Sequence, residues 1–179
     1  MRFTPTAIPG VTIVEATPHG DSRGLFARLY CPLEFAAAGL GFFQPTQVNL
    51  SRNTALHTLR GMHFQDPPRS EAKLVRVMRG RIFDVAVDLR PDSAAYLRWT
   101  GVELDDRGLR GLLIPEGCAH GFITLAPDTD VLYQMGRNFE PGFGKGLRYD
   151  DPRLAIEWPA SPAVLDEKDS NWPLLTGAC

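Results

Sequence analysis

The sequence predicts an all-β protein, an antiparallel sandwich or barrel with short peripheral helices. Short segments of β-branched and aromatic residues alternate with period two, Gly, Pro or Asp bounds nearly every one, and only one stretch carries a convincing helical pattern. Folds of this kind set functional groups on inward-facing positions of several strands at one mouth, so residues far apart in sequence can meet.

In chain order, the helix comes first. Residues 32–40, PLEFAAAGL, have Pro32 at a favourable first-turn position and Gly41 just beyond the end. KLVRV (73–77) and RIFDVAVDL (81–89) then flank a short MRG connection. The second segment sets Phe83, Val85, Val87 and Leu89 against Ile82, Asp84, Ala86 and Asp88, the alternation of a strand. YLRWTGVEL (96–104), GLLIP (111–115), GFITL (121–125) and DVLYQM (130–135) continue the series. A further helical turn is expected within SPAVLDEKD (161–169).

At 179 residues the chain is read as one domain, 1–179, long enough to bury a real core. A net charge of −2 gives no global attraction to nucleic acid or to acidic membranes. No apolar run approaches the roughly 20 residues that span a bilayer. The N-terminal MRFTPTAIPGV lacks the apolar core of a secretion signal. Cys31, Cys118 and Cys179 are odd in number and widely spaced, which fits a reducing compartment and not a disulfide framework. The expectation is a cytoplasmic protein with neither a nucleic-acid nor a membrane partner.

Four histidines, His19, His57, His63 and His120, stand singly, without the paired spacing of a metal site. Glu71 as a neighbour of His63 does not complete a ligand set. Cys118, two residues before His120, reads as a small core residue rather than a nucleophile, because strand neighbours two apart lie side by side without forming a dyad. His120 reads as a binding group or a structural histidine. His63, in LRGMHFQ (59–65), suits a general base if a carboxylate fixes its tautomer, with Asp84, Asp88 and the cluster ending in Asp169 as candidates. Tyr133 is either a weak acid on another strand or a buried core tyrosine. Arg23, Arg60 and Lys73 are isolated cations beside Gly or apolar segments, and such groups suit an anionic ligand such as a phosphate.

NLSRNTALHTLRGMHFQDPPRSEAKLVRVMRGRIFDVAVDLRPDS (49–93), LLIPEGCAHGFITL, RYDDPRLAIEWP and LDEKDSNWPLL together resemble the dTDP-4-dehydrorhamnose 3,5-epimerase family. The likeness is collinear from DSRGLF near the start to EKDSNWP near the end. It implies a cupin-type double-stranded jelly roll that forms a homodimer and works without metal or other cofactor on a nucleotide-diphospho-4-keto-6-deoxy hexose. It also implies that His63 is the base, Asp169 its orienting carboxylate, Tyr133 the acid on the opposite face of the sugar, and Lys73 the cation near the keto oxygen. Arg23, Gln47, Asn49, Arg60, His120 and Lys168 fall at substrate-contacting positions.

The departures lie at the nucleotide end. Arg28 stands where many relatives have glutamate, Gly144 aligns with a second acidic contact, and Val48 replaces the Asp of a common QDN. Asn138 and Phe139 replace an aromatic pair, which leaves Phe139 as the ring for stacking. An intact catalytic set beside a drifted nucleotide-facing set leaves the nucleotide (dTDP, GDP, CDP or UDP) open, as well as the epimerised carbon (C3, C5 or both). A silent sugar-nucleotide-binding cupin is the rival outside enzymology, and a metal-dependent cupin oxygenase is the other enzyme class.

Overall fold

The computed structural model describes residues 1–175. Two strands, β1 (Arg2–Pro5) and β2 (Thr12–Glu15), precede a small hairpin, β3 (Pro18–Asp21) and β4 (Gly24–Ala27), and helix α1 (Pro32–Ala37). Then come β5 (Gln47–Asn53), β6 (Thr58–Gln65), β7 (Lys73–Arg79), β8 (Arg81–Asp88) and β9 (Trp99–Asp105). The chain continues through β10 (Arg110–Ile114), β11 (Cys118–Thr124), β12 (Thr129–Met135), β13 (Gly144–Gly146), β14 (Val164–Leu165) and α2 (Glu167–Ser170). One sheet runs β1-β2-β10-β7-β12-β5 and the other β13-β6-β11-β8-β9, with β14 parallel to β6. The expected all-β sandwich with short helices is what the chain forms.

Period-two alternation builds the middle of the sandwich. Val75 and Val77 of β7, Leu112 and Ile114 of β10 and Val131 of β12 meet Ile82 and Ala86 of β8, Cys118 and Phe122 of β11 and Leu104 of β9. The outer faces are covered too. Phe35 of α1, with Leu40 and Phe43, packs on Val14, Leu74 and Leu113 of the first sheet. Leu147 and Leu154 cover Met62, Val85, Val87 and Ala119 of the second. Strands buried on both faces carry buried apolar residues at successive positions, as Val85, Ala86 and Val87 of β8 do.

Two local expectations differ from what forms, and one strand was not anticipated. The first helix ends at Ala37, because Gly39 rather than Gly41 takes the left-handed conformation, at φ +76°. In SPAVLDEKD, Val164 and Leu165 pair with β6, and the helical turn starts only after Asp166, whose side chain accepts from the Lys168 N–H. Residues 58–65 form a full strand despite Gly61 and several polar side chains. Cys179 lies outside the described residues.

Candidate active site

The inner layer is apolar over most of its area and polar at one mouth. Lys73 continues the inward row of Val75 and Val77, and Tyr133 the row of Val131. On the facing sheet His63 of β6 lies directly opposite His120 of β11 in the ladder. These groups, with Asn49, Leu50, Ser51, Arg60, Glu71 and Met135, line a cavity of about 280 Å³. One wall thus carries His63 and the other Tyr133.

Asp169, on α2, reaches the His63 wall from outside the two sheets. Its Oδ1 lies 2.6 Å from His63 Nε2 and accepts from Trp172 Nε1 at 3.2 Å, while Oδ2 accepts the Gly61 N–H at 3.0 Å. Burial raises the Asp169 carboxyl, but the His63, Gly61 and Trp172 bonds and the charge of His63 outweigh it and hold it below its ordinary value. The ionised carboxylate accepts a hydrogen bond from Nε2–H of the His63 ring, a tautomer that leaves the lone pair on Nδ1.

The polar groups around this pair are tied in. Lys73 Nζ lies 3.0 Å from Glu71 Oε1, and both side chains are nearly buried. Gln65 donates to the other Glu71 oxygen at 2.7 Å and accepts the Glu140 N–H at 3.2 Å. Arg60 Nε donates to Asn53 Oδ1 at 2.8 Å. His120 Nε2 lies 2.6 Å from Asp84 Oδ1. Burial, then the Asp84 charge, push the Tyr133 phenol up, with Arg60 opposing, so Tyr133 stays protonated.

Of the residues singled out in the sequence, His63, Tyr133, Lys73, Asn49, Arg60 and His120 meet at one cavity, with Asp169 behind His63. The remaining ones do not line it. Arg23 forms an ion pair with Asp21 on the exposed β3–β4 hairpin, and Arg28 bonds Glu34 of α1 at 3.0 Å. Gln47 accepts the Phe139 N–H at the rim and donates to Asn49. Lys168 stands 5.1 Å over the Trp172 ring. Sequence reasoning missed Glu71 as the partner of Lys73 and Trp172 as a third donor to Asp169. The Asp84 signal was present, since period two puts it on the inward row with Ile82 and Ala86, but its partner is His120 and not His63. Cys118 is a core residue whose thiol burial pushes up to about 12. Among the described residues no group of three or more His, Cys, Asp or Glu is arranged to hold a metal ion.

A cupin-type sandwich whose mouth sets a histidine–aspartate pair across from a tyrosine, with a lysine on the tyrosine's sheet, is the architecture of a carbohydrate epimerase. The family model described as dTDP-4-dehydrorhamnose 3,5-epimerase matches residues 5–177. The dTDP-4-dehydrorhamnose 3,5-epimerase of Methanothermobacter thermautotrophicus is 40% identical over 176 residues, 96% of this chain and 92% of that one. The dTDP-4-dehydrorhamnose 3-epimerase of Streptomyces niveus is 36% identical over 178 residues, 99% of this chain and 86% of that one. The crystal structure of the Bacillus anthracis dTDP-4-dehydrorhamnose 3,5-epimerase with TDP and PPi bound superposes with a TM-score of 0.94 at 37% identity, covering 97% of this chain and 99% of that one. The chain belongs to the dTDP-4-dehydrorhamnose 3,5-epimerase family.

Proposed function

We propose that the protein inverts C3 and C5 of dTDP-4-keto-6-deoxyglucose without a cofactor, as one domain spanning 1–179. The observation that carries this reading is the placement of His63–Asp169 and Tyr133 on opposite walls of a single cavity. The 4-keto group acidifies the hydrogens at C3 and C5, because loss of either gives an enolate delocalised onto O4. Inversion needs proton removal on one face and return on the other, so base and acid must flank the ring. His63 Nδ1 removes the proton, Asp169 stabilises the imidazolium, and the protonated Tyr133 returns one from the opposite side. Lys73, held by Glu71, faces the developing charge on O4. Arg60 binds the diphosphate, and remote binding energy keeps the ring in register.

Arg23 and Arg28 act in this reading across a homodimer. Their hairpin exposes Leu25 and Phe26, 61% and 76% accessible, and the edge strand β5 exposes Val48 and Leu50. A second copy seated on these elements covers them and gives the two arginines, with Gln47, Phe139 and Lys168 at the rim, a nucleotide to hold. No helix among the described residues is long and apolar enough to cross a membrane, and the free thiols Cys31 and Cys118 support a cytoplasmic setting.

Epimerisation at C3 alone is the second reading, favoured by the likeness to the Streptomyces niveus 3-epimerase. Incubation with dTDP-4-keto-6-deoxyglucose in D₂O, followed by NMR, tests both. Deuterium with inversion at C3 and C5 supports the proposal, deuterium at C3 alone supports the second reading, and no deuterium at either carbon refutes both. Competition binding of dTDP against GDP, CDP and UDP tests the nucleotide, and preference for another base would overturn dTDP.

A further inference from the structure

A second histidine–carboxylate pair, His120 at the cavity and Asp84 behind it, is left without a task by the reaction above. Asp84 stands on β8 between Ile82 and Ala86, two residues of the apolar middle layer, and is fully buried. Its Oδ1 lies 2.6 Å from His120 Nε2, while its Oδ2 is buried with no hydrogen-bond partner among the described residues. A buried carboxylate with one oxygen unsatisfied opposes folding, and an apolar residue on that row would not. Among the described residues the only side chain bonded to Asp84 is His120, so whatever Asp84 transmits by contact passes through that ring.

His120 is placed to carry one. It lies opposite His63 in the β6–β11 ladder, and its ring meets the Tyr133 ring edge to face, with centroids 5.7 Å apart and planes at 78°. His120 therefore bridges the wall of the base and the ring of the acid. We propose that Asp84 is a positioning residue for the acid half of the reaction: it fixes His120 as the Nε2–H tautomer, and His120 in turn seats Tyr133 to return the proton. The two halves are then built alike, with Asp169 ordering His63 and Asp84 ordering His120. The inference rests on the epimerase reading and deepens it.

The charges around Tyr133 agree. Asp84 of β8 and Arg60 of β6 act on it with opposite sign, while His120 of β11 packs on it, and Lys73 of β7 and His63 of β6 line the same cavity. Burial, opposed by Asp84, holds His120 below the usual imidazole range, so the neutral ring donates from Nε2 to the carboxylate.

The test separates proton removal from inversion. Wild type, Asp84→Asn, Tyr133→Phe and the double variant are incubated with dTDP-4-keto-6-deoxyglucose in D₂O, and NMR follows deuterium wash-in and inverted product together. Asp84→Asn is expected to slow inversion about 10- to 100-fold while wash-in stays within a few fold, because only the return step is disturbed. The double variant is expected to be no slower than Tyr133→Phe, because both changes act through one group. Wild-type inversion by Asp84→Asn, or equal loss of wash-in and inversion, overturns the inference and leaves the epimerase reading standing. Absence of wash-in by the wild type overturns that reading and the inference with it. If Asp84→Asn does not fold, imidazole ¹⁵N spectra of the wild type decide. Neutral His120 protonated on Nε2 at pH 7 is expected, and an Nδ1–H or doubly protonated ring overturns the inference.

Discussion

His63 and Asp169 are 106 positions apart in the chain, yet their side chains meet at 2.6 Å. The contact exists because β14 runs parallel to β6 and delivers α2 beside it. Trp172 then packs against Gly146, the residue opposite His63 on β13, and donates to the same carboxylate. Asp169 is thus held by three donors, two from β6 and one from the C-terminal segment, and the His63 tautomer follows from that.

Asp169→Asn is expected to lower turnover by about 10²- to 10⁴-fold with little change in KM, because an amide can reverse the tautomer while preserving shape. Steady-state kinetics check this. The same carboxyl carries a pH signature. Its folded-state value is depressed, so its contribution to stability is present above the ordinary 3.8 and is lost as pH falls through the folded value. The melting-temperature gap between wild type and Asp169→Asn should therefore be full at neutral pH and narrow below about pH 4. A gap that stays constant down to pH 2 would show that the charge of Asp169 contributes nothing.

Lys73 and Glu71 let catalysis be separated from stability. Lys73→Met removes the cation facing O4 and leaves a nearly buried carboxylate unpaired. Turnover is expected to fall about 100- to 1000-fold, and stability by about 3–5 kcal/mol. Adding Glu71→Gln should recover most of the stability and none of the turnover, as read by urea denaturation and initial rates. Recovery of turnover in the double variant would remove Lys73 from the chemistry.

Much of this was legible in the chain. The period-two rows of residues 81–89 marked a strand, while the packing shows that the row of Ile82 and Ala86 faces the middle layer and that Lys73 and Tyr133 extend the inward rows of β7 and β12 to the mouth. The β6 segment was not legible as a strand, because Gly61 and its polar neighbours hide the alternation that tertiary pairing imposes. Nor could spacing assign carboxylates to histidines. Asp84 and Asp169 were both candidates for His63, and only the β8–β11 register and the path of the C-terminal segment send one to each ring. The positions of Arg23 and Arg28 depend on where the hairpin projects, which no local pattern records.

Cys118 offers a check on the core reading. Its thiol is buried among Ile82, Phe122 and their neighbours, and burial pushes it up to about 12, so little thiolate exists at neutral pH. Iodoacetamide at pH 8 should label the half-buried Cys31 and spare Cys118 in the folded protein, as read by peptide mass spectrometry. Cys118→Ala should keep turnover near wild type. Loss of activity without loss of fold would bring the cysteine back into the mechanism.

Gly61 is where backbone and chemistry are tied most tightly. Its φ of +137° lies outside the range comfortable for a side chain, and a Cβ there would stand 2.5 Å from Gly121 Cα and 3.0 Å from the His120 carbonyl oxygen. Neither backbone neighbour can swing aside as a side-chain tip could. The Gly61 N–H also donates to Asp169, so any shift of β6 reaches the base. Gly142 supplies the control, since its φ of +92° is equally left-handed but a Cβ there meets nothing within 4 Å. Gly142→Ala should cost about 1 kcal/mol, the conformational penalty alone. Gly61→Ala should cost at least about 3 kcal/mol and lower turnover in whatever fraction still folds. Equal costs in urea denaturation would mean that the β6–β11 approach has slack, and that the short contact across it does not set the position of His63.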